Sequence, residues 1–472
     1  MALPIVKRTL STLGPPPPPP DTSQTLVTAV VSILNHHRSK SRWNEIRSLH
    51  PNGFTPWQVS QITLRIRNNP HLALRFFHFT LRYSLSTHSL LSYSTLIHTL
   101  SRSRLKSQTL TLIQSALLRF PDTQKTPKLF ESLVKTYREC DSAPFVFDLL
   151  IKACLKSTRI DQAVEIVRML RSKGISPSVS TCNSLIRWVS KCRGCYAGYD
   201  IYKEVFVFSD EVKSRIWGVK IVPNVHTFNV IMLSFYKDGL MDNVEEVWGE
   251  MVKLGCEPSA YSYTILMAVY CADGKMEEAV KLWEEMGIKG LKPDVVGYNT
   301  MIGGFCRIGE VGRAEEYFRE MGLSGVESSC VTFEHLINGY CQIGDVDSAM
   351  LLYKDMCRQQ LRPESSTVDV VITGLCGENR VSEGLEILRV AIRKHELSPK
   401  RKSYEVLING LCEEGRMEEA LKLQAEMVGK GFEPNNETYS SFIDANTKEG
   451  NDELVEILKK EMLETQIPKE EE

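Results

Sequence analysis

Cys192-Arg193-Gly194-Cys195 is the one Cys-x-x-Cys pair in this chain of 472 residues. Two thiolates at that spacing can supply half of a tetrahedral zinc shell. A structural zinc site needs four ligands, and no second pair stands nearby, so no metal is expected. The His-x-Glu with a following Pro-Cys-x-x-Cys of a zinc deaminase is missing from the sequence. A phosphate-cradling P-loop and a nucleophile elbow are missing too. Neither a cofactor nor a catalytic residue is expected, and the chemistry must lie in residues that recur rather than in one constellation.

Recurrence is pronounced. Met251, Met286, Met321 and Met356 stand 35 residues apart, and after a slip of one the beat resumes at Met427 and Met462. Gly239, Gly274, Gly309, Gly344, Gly415 and Gly450 keep it, as do Cys271, Cys306, Cys341, Cys376 and Cys412. A period in this range means stacked supersecondary units whose function lies along a continuous inner surface. In the unit from Ala260 to Asp294, Tyr263, Leu266, Met267 and Tyr270 fall at helical spacing, which predicts a first helix over 260–272. Gly274 ends it. Met276, Ala279, Val280, Leu282, Trp283 and Met286 give a second helix its apolar stripe, opposite Glu277, Glu278, Lys281, Glu284 and Glu285. Ala279 and its counterparts Ala163, Ala314, Ala349 and Ala420 are small enough to let the two helices approach.

This frame divides the chain into nine units, 144–178, 179–224, 225–259, 260–294, 295–329, 330–364, 365–400, 401–435 and 436–470. The second carries an insertion near 206–218. The seventh has 36 residues, which explains the slip, and the ninth ends in a polar cap of Lys469, Glu470, Glu471 and Glu472. The region 25–143 reads as degenerate helical hairpins, with helices at 92–97 and 129–137. The segment 1–24 has the composition of an organellar transit peptide, with Lys7 and Arg8 against the single acid Asp21, and the prolines Pro15 to Pro20 form a stiff polyproline stretch. Mitochondrion is the expected destination, with the chloroplast as the alternative.

The formal net charge of −1 conceals an asymmetry. Residues 1–140 carry 18 Lys+Arg against 5 Asp+Glu, net +13, and the remainder 39 against 53, net −14. An acidic array argues against a phosphate binder driven mainly by counterion release. The basic surplus at the start is read as solvated charge in preference to a phosphate contact. Five of the thirteen cysteines hold one repeat position and read as small packing residues in a reducing compartment. No run reaches the length of a membrane span. Lys156, Lys191, Lys237, Arg307 and Lys448 share the thirteenth place of their units, where they either meet phosphates or complement the negative end of a helix dipole.

Units such as 295–329, with Tyr298, Gly309, Ala314, Met321 and Gly325 at fixed places in a 35-residue period, resemble the pentatricopeptide repeat, and their plain length resembles its P-type subclass. The tetratricopeptide alternative has a shorter period and a different first-helix pattern. The resemblance implies an all-α, right-handed α-solenoid of stacked antiparallel helix-turn-helix repeats. It implies a monomer that binds single-stranded organellar RNA, reading one base per repeat with two or three side chains. The discriminating pair in the family is the fifth and the last residue of a repeat, with the second residue wedged against the base. Carried over, Asn183 with Asn224 suggests cytosine, Asn229 with Ser259 a pyrimidine, Thr264 with Asp294 guanine, and Asn299 with Ser329 a pyrimidine, in all 5′-C-Y-G-Y-3′. Ser180, His226, Tyr261, Val296 and Val331 occupy the wedge place. Asp148 with Ser178, Glu334 with Glu364, Asp369 with Lys400, and Glu405 with Asn435 match no familiar pair. Four readable bases carry about six bits, too few to single out one transcript. The acidic repeats from 330 onward are therefore expected to dock a basic protein partner or to serve as scaffold. A purely protein-binding scaffold is the alternative function.

Overall fold

The computed structural model describes residues 21–36, 41–49, 53–120, 128–206 and 221–465. Among them the regular structure is helical throughout, with a single isolated β-bridge between Phe54 and Ser86. Residues 1–20 of the expected transit peptide, residues 207–218 of the expected insertion and the expected polar cap at 469–472 lie outside the described residues.

The chain divides into two compact units, residues 1–257 and 258–472. The first opens with helices Asp21–His36, Ser41–Leu49, Pro56–Arg65, Pro70–Arg82, Leu90–Arg102, Lys106–Arg119 and Lys128–Thr136. Three hairpins follow: Val146–Lys156 with Ile160–Ser172, Val179–Arg193 with Cys195–Phe206, and Val225–Lys237 with Met241–Lys253. The second unit is six hairpins whose first helices are Ala260–Ala272, Val295–Arg307, Cys330–Gln342, Ser365–Gly377, Arg401–Glu413 and Asn436–Glu449. Each packs on its own second helix and on the first helix of the next hairpin, so the first helices of the unit form one layer and the second helices another.

Local chemistry explains where helices begin and end. The residue before each first helix is its N-cap. Ser259 and Ser329 accept from the backbone N–H of Ser262 and Thr332, whose own hydroxyls accept from the cap backbone, and Asp294 accepts from Gly297. Each bond satisfies one of the donors a helix start leaves open. Gly274 closes the first helix of its hairpin at φ +72°, a conformation costly for most L-residues. In the 365–400 repeat that place is held by Asn379 at φ 60°, one of the few other residues that tolerates it. The extra residue of the same repeat lies in its second helix, Val381–His395, which runs 15 residues where Val346–Arg358 runs 13.

The buried layer between helices is built from the recurring residues. Met251, Met286, Met321, Met356 and Met427 are buried, as are Ala163, Ala279, Ala314, Ala349 and Ala420. Val280, Leu282 and Trp283 are only half-buried. Tyr263, Tyr298 and Tyr404 are sealed in, and a buried phenol needs a partner for its hydroxyl. Tyr263 donates to Glu285 Oε1 at 2.7 Å while Lys289 Nζ donates to the phenol oxygen at 2.7 Å, and Tyr298 and Tyr404 donate to Glu320 at 3.2 Å and Glu426 at 3.0 Å.

A second recurring contact sets how closely first helices approach. A Cβ on Gly304 would lie 2.7 Å from Cys271 Sγ, and one on Gly339 would lie 2.8 Å from both Cβ and Sγ of Cys306. The periodic cysteine of one repeat thus rests on the bare backbone of the next. Burial pushes the Cys271 and Cys306 thiols up to about 12, so they stay protonated packing groups.

Candidate nucleic-acid interface

The second and fifth residues of a first helix are three apart and share a face. On that face Tyr261, Val296 and Val331 are exposed to 43%, 53% and 45%, an unusual degree for large apolar side chains that recur in register. Ser180 and His226 are exposed at the same place in the first unit. The fifth residues sit deeper. Asn183, Asn229 and Thr264 are buried and Asn299 is half-buried, whereas the last residues Asn224 and Asp294 are exposed and Ser259 and Ser329 half-buried.

Two of the sequence-paired sets are brought together directly. Asn183 Nδ2 donates to Asn224 Oδ1 at 3.2 Å, and Asn299 Nδ2 donates to Ser329 Oγ at 3.1 Å. Thr264 bonds within its own helix, to the Ala260 carbonyl at 3.0 Å. A Cβ on Gly297 would lie 3.5 Å from Thr264 Oγ1 and 3.7 Å from Asp294 Oδ1, which places both members of that pair around one small gap.

A participant that the sequence reading missed is the third residue of the following repeat. Thr227 Oγ1 donates to Asn183 Oδ1 at 2.8 Å, Thr332 Oγ1 donates to Asn299 Oδ1 at 2.7 Å, and Ser403 Oγ donates to Asp369 Oδ1. The signal was present in the sequence, since Thr181, Thr227, Ser262, Thr332, Thr367, Ser403 and Thr438 all occupy that place, and only Gly297 and, in the first unit, Val146 lack the hydroxyl.

The repeats without a familiar pair satisfy most of their carboxylates internally. Ser178 donates from both N and Oγ to Asp148 Oδ1, at 2.9 and 3.0 Å. Lys400 Nζ stands 3.8 Å from Asp369 Oδ2, and Arg401 pairs with Glu405 at 2.6 Å. Burial, then the neighbouring Glu364 carboxylate, raises the Glu334 carboxyl above its usual range.

Among the thirteenth-place cations, Arg307 Nη1 donates to the Cys271 carbonyl at 3.1 Å, in the last turn of the preceding first helix. There it answers the negative end of that helix. Cys192 is exposed in the last turn of Val179–Arg193 and Cys195 is buried at the start of the next helix, with Gly194 alone as the turn.

Sequence comparison places this architecture. A PPR repeat family model matches residues 223–271, 263–296, 293–341, 328–377 and 399–448, and a PPR repeat model matches 145–175, together half of the chain. The chain belongs to the pentatricopeptide repeat family. It is 54% identical over 242 residues to the pentatricopeptide repeat-containing protein At2g15980 of Arabidopsis thaliana, a match covering 50% of this chain and 48% of that one. A second relative from the same plant, the mitochondrial pentatricopeptide repeat-containing protein At4g26680, is 28% identical over 154 residues, 33% of this chain and 29% of its own. The chain thus spans about half the length, or less, of these relatives. Among solved structures it is similar to the maize pentatricopeptide repeat protein PPR10, at 15% identity and a TM-score of 0.46, over 94% of this chain and 80% of that one.

Proposed function

We propose that this chain is a sequence-preferring, non-catalytic single-stranded RNA-binding protein of the P-type subclass, acting in organellar RNA processing, stability, splicing or translation. The observation that carries the reading is the exposed row of Tyr261, Val296 and Val331, in which Tyr261 and Val296 each stand three residues before a short polar side chain on the same helix face, Thr264 and Asn299, and Val331 closes the row next to the Asn299 slot. Apolar and aromatic side chains repeated along a groove are platforms for unstacked bases, and short amides and hydroxyls beside them match a base edge. The array is acidic, so affinity rests on stacking and base contacts more than on phosphate attraction. Asn183, Asn224, Asn229, Ser259, Thr264, Asp294, Asn299 and Ser329 are the proposed base readers, with Ser180, His226, Tyr261, Val296 and Val331 between bases. Names of several relatives carry the word mitochondrial, which supports the mitochondrion as the compartment.

Binding to single strands carrying C-Y-G-Y against scrambled strands tests this directly. Thr264→Asn is expected to move the preference at the third base from G toward U. Equal affinity for all strands would refute base reading and favour the second function, a scaffold for a basic protein. That reading draws on Glu334, Asp369 and Glu405, carboxylates at the fifth place of three successive repeats.

A further inference from the structure

The Asn299 slot is a closed ring of hydrogen bonds. Asn299 Nδ2 donates to Ser329 Oγ at 3.1 Å, Ser329 and Thr332 share a hydroxyl bond of 3.1 Å, and Thr332 Oγ1 donates to Asn299 Oδ1 at 2.7 Å. A hydroxyl has one hydrogen. Thr332 gives its hydrogen to Asn299, so the hydrogen of the Ser329–Thr332 bond belongs to Ser329, and each group in the ring donates once around it. Ser329 also accepts from the Thr332 N–H at 3.3 Å, and Thr332 Oγ1 accepts from the Ser329 N–H at 3.0 Å. The serine hydroxyl therefore has its hydrogen committed inside the protein.

The ring fixes the amide in one orientation, Oδ1 toward Thr332 and Nδ2 toward Ser329. One N–H and one lone pair of Asn299 remain outside it, and this donor and acceptor are what the half-buried amide can offer a base. The Asn183 slot orients its amide the same way, with Thr227 donating to Asn183 Oδ1 and Asn183 Nδ2 donating to Asn224 Oδ1, although that oxygen only accepts and the ring does not close there. At Thr264 the corresponding residue is Gly297, which has no hydroxyl to give.

We propose that the third residue of a repeat is a specificity-determining residue for the base slot of the repeat before it, acting as a positioning residue that orients the fifth side chain. Thr332 sets the Asn299 slot and Thr227 the Asn183 slot, while Gly297 leaves the Thr264 slot open to a ligand group. This inference rests on the RNA-binding reading above and deepens it. In it the last residue of the Asn299 slot holds the reader in place and does not itself donate to the base.

The test measures affinity of the full chain for C-Y-G-Y strands varied singly at the third and fourth bases. Thr332→Val keeps the branched shape and removes the oxygen, freeing the Asn299 amide to turn. Discrimination between pyrimidine and purine at the fourth base should fall about fivefold, the equivalent of one net hydrogen bond, with discrimination at the third base unchanged. Thr332→Ser should retain it. Gly297→Ser supplies the missing hydroxyl where a Cβ meets only ordinary contacts of 3.5 Å and longer, and should change discrimination at the third base alone. Melting curves report folding, and if Thr332→Val fails to fold, Gly297→Ser decides. A wild-type preference that neither Thr332→Val nor Gly297→Ser moves overturns this inference only. A folded wild-type chain with no preference overturns the RNA reading beneath it.

Discussion

Gly339→Ala and Gly249→Ala are one chemical change with opposite expected signs. Inside a helix alanine is favoured over glycine by about 1 kcal/mol. Gly249 lies in Met241–Lys253, where an added Cβ meets nothing within 4 Å, so that gain should appear nearly whole. On Gly339 the same atom would lie 2.8 Å from Cβ and Sγ of Cys306 and 3.3 Å from Val311 Cγ2. Cys306 Cβ is bonded to helix backbone, so relief requires one first helix to move against its neighbour, and overpacking of this kind costs about 1–3 kcal/mol. Set against the propensity gain, a net loss of about 1 kcal/mol remains. Far-UV circular dichroism melting should show Gly339→Ala lower by about 2–4 °C and Gly249→Ala higher by a similar amount. A Gly339→Ala protein that melts at or above wild type would show that the cysteine-on-glycine contact does not limit helix approach.

Stability should also depend on pH through His98, which is fully buried and held at about 4, chiefly by desolvation. Nε2 donates to the Leu133 carbonyl at 3.0 Å, which leaves Nδ1 to accept from Ser142 at 2.7 Å, a pattern only the neutral ring can make. The folded value lies below the unfolded one, so the unfolded chain binds the extra proton. Stability is complete above about pH 6.5 and falls by up to about 3 kcal/mol as pH drops toward 4. His98→Gln should flatten that acid limb in a pH series of melts, and an unchanged limb would remove His98 as its cause. Tyr261→Ala should weaken binding of C-Y-G-Y by about 1–3 kcal/mol, read as fluorescence anisotropy with the fold intact, and wild-type affinity would deny it a stacking role. Arg307→Gln should lower the melting temperature while leaving the salt slope of RNA binding unchanged. A slope reduced by about 0.7 would instead place Arg307 on a phosphate.

Much of this architecture was legible because the signals were local and repeated. The frame read from Met, Gly and Cys positions predicts first helices starting at 260, 295, 330, 365, 401 and 436, and the helices begin there, four of them behind a capping side chain, Ser259, Asp294, Ser329 or Asn435. Ala279 and its counterparts were readable as contact points because only small side chains suit that crossing. Contacts between repeats were harder to see. Gly339 reads in sequence as an ordinary weak helix residue, and its purpose appears only when Cys306 lies across it. Thr332 reads as half of a capping box with Ser329, and its second bond, to Asn299 in the preceding repeat, crosses 33 positions. Pairing the fifth and last residues by family resemblance identified the neighbourhood of each slot. It did not indicate that Asn183 and Thr264 are buried, because burial is set by the following helix.

The capping of most first helices by the residue that closes the preceding repeat has an evolutionary consequence. Asn, Asp and Ser are the side chains best able to begin a helix, and they are also the side chains that complete the proposed base slots at Asn224, Asp294 and Ser329. Retargeting this protein by exchange within that trio leaves the scaffold nearly untouched. Glu364 and Lys400 form no side-chain cap, so exchange at those two places has no cap to lose.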